Sequence, residues 1–303
     1  MKRILDCTAS DFREMNGREL KQAIRAGEGR TMLSENMAAV PSLYPNITNS
    51  ELAASFGADL LLLNIFDVFA PEISGLKTQE DVVEKIKHLT GRPVGVNLEP
   101  VDLDAEKLEE LDVLEAGRQA TEASLKEAKK LGFDFICLTG NPKTGVTNTE
   151  ILGAIKKTRE IFGKQGLIIA GKMHGAGVAG ETGGDIITEA DISKFIEAGA
   201  DIILMPAPGT VPGITLEKTE KYVIHAHSKG ALVMLTIGTS QEGADEDTIR
   251  QIALGAKMAG ADIHHIGDAG FYGIAVPENI FTYSIAIRGR RHTYSRMAIS
   301  VNR

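Results

Sequence analysis

Lys172 and His174 stand two residues apart where the apolar run GLIIA gives way to GKMHGAGVAGETGGD, Gly171 to Asp185. A lysine at the end of an apolar strand must snorkel, pair with an acid or lose its proton. Such a lysine can form a Schiff base with a carbonyl substrate or anchor a phosphate or carboxylate. The structural alternative is an ion pair with Glu99 or Glu35. His174 has the same strand parity and would be the acid/base partner; the alternative is a loop histidine bonded to backbone. The six glycines of the stretch let backbone approach a ligand or let a loop close over one. GAGVAG matches a dinucleotide fingerprint only loosely, because no helix follows it directly. Nicotinamide and nucleoside triphosphate use is therefore not expected.

The elements that must position these groups are legible from a repeat. FGADLLLLN, LGFDFICLTGNP, AGADIILMPAPG and AGADIHHIGDAG each run from a helix end through Gly and Asp into an apolar strand and a polar loop. The junction glycines, at 57, 132, 199 and 260, lie far enough apart for one more strand in each interval. Those strands are read at 31–36, 93–100, 166–174 and 231–240. Six clear helical patterns, such as TQEDVVEKIKHLTG and NTEILGAIKKTREIFG, begin near Thr or Asn and several end at Gly. Strict strand–helix alternation, eight times over, implies a single α/β (β/α)8 TIM barrel spanning 1–303. A doubly wound sheet is the alternative, but eight units and the typical length of about 250 residues per barrel favour closure. Residues 1–30 carry a helical pattern, GRELKQAIRAG, expected to cap the N-terminal end. Residues 277–303 form a C-terminal helix and tail.

Barrels of this kind place chemistry at the C-terminal ends of their strands. The residues there are Glu35 and Asn36 after strand 1, Asn64 and Asp67 after strand 2, and Asn97 and Glu99 on strand 3. Thr139 and Asn141 end strand 4, and His264, His265 and Asp268 end strand 8. Alternation lets about half of these face the mouth, and only one of His264 and His265. Lys172, His174, Glu99 and His265 are the catalytic candidates. Asn36, Asn64, Asn97 and Asn141 would bond hydroxyls or carbonyls of a polar ligand, although an Asn at a strand end also satisfies its own backbone. A phosphate site is expected at the loops after strands 7 and 8, through Gly238, Thr239, Ser240, Gly267 and Gly270. Asp67, Glu99 and Asp268 are candidate ligands for Mg²⁺, without a diagnostic spacing. FMN remains an open cofactor, because barrels hold its phosphate at the same strand 7–8 position. The HAH at 225–227 falls in a helix and points outward.

Composition narrows the partners. The 303 residues are 43% apolar and 24% charged, with net charge −8 and pI near 5.5. An acidic surface argues against nucleic acid. The basic group Arg288, Arg290, Arg291 and Arg296 reads as a solvated helix face or subunit contact ahead of an anion site. No apolar run is long enough to span a bilayer. Two cysteines, Cys7 and Cys137, and no secretory h-region suggest a reducing cytoplasm. Apolar residues in the last helix suggest a homo-oligomer.

Over its full length the chain resembles an uncharacterised bacterial family of (β/α)8 proteins loosely labelled phosphoenolpyruvate phosphonomutase-like. The resemblance is carried by LLLLNIFDVFAP, PVGVNLEP, TGNPKTGVTN and HHIGDAGFYG. NIFDVF and GVNL are also similar to segments of the BtpA family of barrels. Phosphonomutase-type enzymes carry a metal-holding Asp-x-Asp and a Glu-Asp-Lys segment, and this sequence has neither at a strand end. The resemblance implies the fold and no catalytic residue.

The residues themselves point first to a lyase or isomerase acting on a small phosphorylated or carboxylated, carbohydrate-like anion. A metal-dependent lyase or hydrolase using Glu99, Asp67 and His174 is the second reading. A non-catalytic barrel that senses a metabolite or serves assembly is the third.

Overall fold

A computed structural model of the chain, describing residues 2–78, 80–106 and 108–303, explains why the Gly–Asp junction recurs. The four junction glycines have φ of +107°, +80°, +117° and +95°, the left-handed conformation that stops a helix. The aspartate that follows reaches sideways to a backbone N–H of the preceding strand. Asp59 accepts from Met32, Asp134 from Val94, Asp201 from Ile168 and Asp262 from Val233, at 2.7–3.1 Å. Each even strand is thus pinned at its start to the odd strand before it, which gives the sequence its two-strand period.

The strands are β1 (Thr31–Met37), β2 (Leu60–Asn64), β3 (Val94–Leu98), β4 (Phe135–Leu138), β5 (Leu167–Gly171), β6 (Ile202–Pro206), β7 (Leu232–Ile237) and β8 (Ile263–Ile266). They pair in parallel in sequence order, and β8 closes on β1 through Thr31–Ile263 and Leu33–His265. The expected barrel is present. β3, β5 and β7 are shorter than expected at their C-terminal ends, while β1 runs one residue further; β5 stops at Gly171 rather than 174. Gly171 has φ +150°, and a side chain there would collide with the carbonyl of Leu204, so the chain turns out of the sheet before Lys172.

Helices α3 (Asn49–Ser55), α4 (Val82–Thr90), α5 (Glu122–Leu131), α6 (Asn148–Phe162), α7 (Glu189–Ala198), α8 (Leu216–Ser228) and α9 (Glu246–Ala259) cover the outside of the barrel. Thr48, Thr121, Thr147, Thr188, Thr215 and Asp245 cap all of these except α4 through side-chain oxygens, each cap typically stabilising by about 1 kcal/mol. An outer apolar layer joins strands to helices. The inner layer, including Leu33, Leu60, Leu62, Phe135, Ile169 and Met234, fills the lower half of the barrel. The N-terminal segment supplies Ile4, Cys7, Leu20 and Ile24 to that inner layer from around α1 (Ala9–Glu14) and α2 (Gly17–Arg25). This is the expected N-terminal cap. Cys7 and Cys137 are both buried free thiols.

The last helix, α10 (Pro277–Ala298), breaks at Gly289, whose φ is +74°. The basic cluster on it corrects the expectation of a solvated or subunit-facing surface. Arg288 and Arg296 are buried, forming ion pairs with Asp59 at 2.5 and 2.7 Å. Arg296 also donates to the carbonyls of Cys7 and Ile4, and Arg288 to that of Gly57. The kink turns these two arginines under the barrel, leaving only Arg290 and Arg291 exposed. No helix of the described residues is long and apolar enough to cross a membrane.

Candidate active site

Strand alternation decides which strand-end residues enter the barrel. Leu33, Leu62, Cys137 and Ile263 belong to the inner layer, so Glu35, Asn64, Thr139 and His265, two residues further on, follow on the same face. Asn97, Glu99 and Asn141 join them from the ends of β3 and β4. The apolar floor therefore gives way to a polar layer at the C-terminal mouth. This layer is closed over: Glu35, Asn64, Asn97, Glu99, His265 and Asp268 are each 0–8% exposed.

Three amides form its spine. The side chains of Asn64 and Asn141 exchange two hydrogen bonds, at 2.7 and 2.9 Å. Asn97 donates to Asn64 Oδ1 at 3.2 Å, and Asn64 Nδ2 donates to Asp268 Oδ2 at 2.8 Å. Glu99 accepts from the backbone N–H of Asn141 at 2.8 Å and pairs with Arg118 at 2.8 Å. Arg118 has a buried Nε without a hydrogen-bond partner among the described residues.

The other side of the mouth is built from acids. Glu35 Oε2 lies 2.9 Å from His265 Nε2, both fully inside. Glu242 enters from the turn Gln241–Gly243 after β7, in the space that Gly267 leaves by lacking a side chain. Neither Glu35, Glu242 nor Asp268 pairs with a lysine or arginine among the described residues. Loss of solvation disfavours their charged forms. Burial pushes Glu35 up to about 8, helped by the charge of Glu99. It pushes Asp268 and Glu242 up to about 7. Burial also pushes His265 down to about 4, so the imidazole is neutral at physiological pH. The result is a neutral histidine beside carboxyls that titrate near neutrality, a composition suited to moving protons.

Lys172 lies elsewhere. It follows the parity of Ile168 and Ala170, which face the outer layer, while Met173 belongs to the inner one. Its ammonium donates to Glu181 Oε2 at 2.7 Å, to Val146 O at 2.9 Å and to Gly175 O at 3.4 Å. The acid is Glu181, not Glu99 or Glu35. Burial lowers the Lys172 pKa against the opposing pull of Glu181. Glu181 also accepts from the backbone N–H of Asn148 at the start of α6. His174 is half-buried, its Nδ1 accepts from the Ala176 N–H at 3.1 Å, and burial lowers it to about 4. Lys172 thus fastens the loop after β5. Backbone bonds from Gly145 to Ala176, Asp102 to Gly145 and Leu108 to Gly177 tie this loop to those after β3 and β4.

The remaining expected residues divide similarly. Asn36 points to the outer layer, and its amide donates at 3.5 Å to Ser34 O. Asp67 caps its own turn by accepting from the N–H groups of Phe69 and Ala70. Asp67, Glu99 and Asp268 do not converge, and among the described residues no group of three or more His, Cys, Asp or Glu could hold a metal ion. At the expected phosphate loops, Gly238 accommodates Met173, Gly267 accommodates Glu242, and Gly270 packs against Ala275 and Val276. Thr239 Oγ1 donates to Thr210 O at 2.6 Å, and Ser240 is exposed in a left-handed conformation. The close approaches that require these glycines are made by the protein's own atoms. His225 and His227 bond Ser193 and Asp262 on the outside of the barrel. Arg118, Glu181 and Glu242 were not apparent from the sequence. They come from loops, where no strand-end position marks them.

The sequence profile of a family described as "Domain of unknown function (DUF7916)" matches residues 5–303. No curated protein matches the chain. Among solved structures, the chain is similar to an archaeal fructose 1,6-bisphosphate aldolase, with 16% identity, a TM-score of 0.56, and coverage of 90% of this chain and 99% of the aldolase. It is also similar to a Schiff-base-forming fructose-1,6-bisphosphate aldolase, with 14% identity, a TM-score of 0.53, and coverage of 92% and 97%. The carboxyl transferase domain of Rhizobium etli pyruvate carboxylase has 13% identity and a TM-score of 0.53, covering 95% of this chain and 51% of that one. At these identities the likeness is one of fold.

Proposed function

The chain belongs to the DUF7916 family, a domain of unknown function, and we propose that it is an enzyme of lyase or isomerase type. It moves a proton on a small phosphorylated or carboxylated metabolite at the C-terminal mouth of the barrel. The observation that carries this reading is the cluster of Glu35, Asp268 and Glu242 around a neutral His265. Burying three carboxyls without a cation costs stability, and nothing in the packing requires it. A catalytic cluster does require it, because acid/base groups work best with pKa values near the operating pH.

In this reading Glu35, raised to about 8, is the proton donor, hydrogen-bonded to His265. Asp268, raised to about 7, is part-ionised at neutral pH and is the base. The amides of Asn64, Asn97 and Asn141 hold hydroxyl or carbonyl oxygens. Arg118, held by Glu99 and Glu115, meets the anionic group through its Nε, unpartnered among the described residues. Glu99 fixes Arg118. Lys172 positions the loop after β5 rather than attacking a carbonyl. Its three donors are occupied and its side chain lies on the helix side of the sheet.

Incubating the protein in deuterated water with a panel of small keto acids, hydroxy acids and sugar phosphates tests this. We expect deuterium incorporation or conversion of at least one class, with rates reduced by about 10²-fold or more in Glu35→Gln and His265→Asn. Undiminished rates in both variants sink the assignment. A borohydride-trapped adduct on Lys172 returns the Schiff-base reading to first place.

A further inference from the structure

The end of the barrel opposite the mouth carries a recess of about 440 Å³ between α2, the end of α6 and the turns leading into β6 and β7. Five cations line it, Arg18, Lys21, Arg25, Arg159 and Lys164, and the only acid is Asp201. This excess occurs in a chain of net charge −8. Asp201 is already occupied: it pairs with Arg159 at 2.6 Å and Lys21 at 3.3 Å and accepts from the Ile168 N–H at 3.1 Å. Arg159 gives its other protons to the carbonyls of Gly163, Gly166 and Gly199. These two cations have structural partners.

Arg18, Arg25 and Lys164 have none. Among the described residues, no side-chain hydrogen bond or ion pair is made by any of the three. Arg18, Lys21 and Arg25 are spaced i, i+3 and i+7 on α2, so they share a face. The opposite face of α2, with Leu20, Ala23 and Ile24, is buried in the inner layer, which fixes the direction of the basic one. A second lysine-rich recess, between α5 and α6, provides the contrast. There Lys126 pairs with Glu122, Lys130 pairs with Glu127, and Lys129 donates to the carbonyl of Ile161. Lys157 lines that recess without an ion pair among the described residues, but Glu122 and Glu160 line it too, so two acids face four lysines there against one acid and five cations under α2.

We infer that the recess under α2 is a binding site for a small multiply phosphorylated anion of the pyrophosphate or nucleoside diphosphate class. Arg18, Arg25 and Lys164 are exposed at the rim of the recess, and like charges around one recess repel one another until an anion enters. Guanidinium forks match phosphate oxygens, and three unpartnered charges call for more than one negative charge. The volume falls in the range of small-molecule pockets, and the recess opens to solvent. The site is separate from the mouth and independent of the reaction proposed there.

Calorimetric titration of the full chain with pyrophosphate and tripolyphosphate, at constant physiological ionic strength, tests the inference. The parent protein is expected to bind both. The double variant Arg18→Ala/Arg25→Ala should weaken binding by ~10-fold or more, and Lys164→Ala should weaken it in the same direction. Lys126→Ala/Lys130→Ala should leave it within about twofold. The substituted side chains make no contacts that the fold needs, and unchanged circular dichroism verifies this. Absence of binding overturns the site, and so does parent-like binding in the double variant. Binding of an acidic peptide or nucleic acid, with pyrophosphate ignored, also overturns it.

Discussion

Two buried charged centres sit at opposite ends of this barrel, and they are balanced in opposite ways. At the N-terminal end, Asp59 pairs with Arg288 and Arg296 and accepts from Met32. Arg92 lies against them, pushed down to about 9 by burial and by the charge of Arg296. The surplus positive charge is absorbed by carbonyls of Ile4, Cys7, Gly57, Ala58 and Arg296. The centre therefore stitches the N-terminal segment, β2 and both halves of α10 together. At the C-terminal end, Glu35, Asp268 and Glu242 have no cation to neutralise them, and their carboxyls take up protons instead. One centre uses charge to close the fold. The other holds a cost in stability.

The comparison breaks most visibly by removing an acid from each end. Asp59→Ala leaves buried arginines without their counter-charge and should cost about 3–5 kcal/mol, read from urea denaturation. A loss below about 1 kcal/mol would mean that the carbonyls alone hold the arginines. Glu35→Gln removes an acid that pairs with no lysine or arginine among the described residues. It should leave the unfolding free energy at neutral pH equal to or above that of the parent, while reducing turnover by about 10²-fold or more. If it instead destabilises as much as Asp59→Ala, the mouth cluster is a structural centre too.

Lys172 lies between these cases. Lys172→Met uncouples Glu181, within the loop after β5, from the end of that strand, and Glu181 is partly exposed. The expected loss is about 2 kcal/mol, with faster proteolysis within residues 175–185. Turnover should fall by less than about tenfold if Lys172 only positions the loop. Abolished turnover with an unaltered proteolysis pattern would make it a catalytic residue.

Much of the architecture was legible because the Gly–Asp junction performs one physical task four times. The glycine ends a helix and the aspartate pins the neighbouring strand. The strand-end rule likewise pointed to Asn64, Asn97, Glu99, Asn141, His265 and Asp268, which the structure brings together at the mouth. It also pointed to Lys172 and Asn36, which the structure places on the outer face, because parity counts only when anchored to a residue of known face. Ile169 and Leu33 would have supplied that anchor. Arg118, Glu181 and Glu242 left no trace, since each reaches the mouth or its loops from a segment whose path no periodicity encodes. The buried roles of Arg288 and Arg296 depend on the break at Gly289, which looks in sequence like any glycine in a helix.

The smallest effect is the pH dependence of stability, and its sign follows from the two sets of buried groups. Glu35, Glu242 and Asp268 have folded pKa values above their ordinary ones. The folded chain therefore holds protons that the unfolded chain releases, and stability falls as pH rises through the folded values. His265, His174 and His264 are lowered to about 4, 4 and 3. The unfolded chain then binds the extra protons, and stability falls as pH drops below about 6.5. Between about pH 4.5 and 6.5 the two sets oppose each other and this contribution stays nearly flat. From pH 7 to 8 Asp268 and Glu242 give up their remaining part-occupied protons, and Glu35 alone is still largely protonated at the start of the interval. That one group gives a decline of up to about 1.4 kcal/mol across the unit. Glu35→Gln should remove this share of the decline and, by leaving two carboxyls against three histidines, should make stability rise by about 1.4 kcal/mol per unit between pH 5 and 6, where the parent is nearly flat. Urea denaturation of parent and variant at each pH isolates the difference, because the exposed groups contribute equally to both. An identical slope from pH 7 to 8 in the two proteins would show that Glu35 is ionised in the folded state, and the mouth would then lose its proton donor.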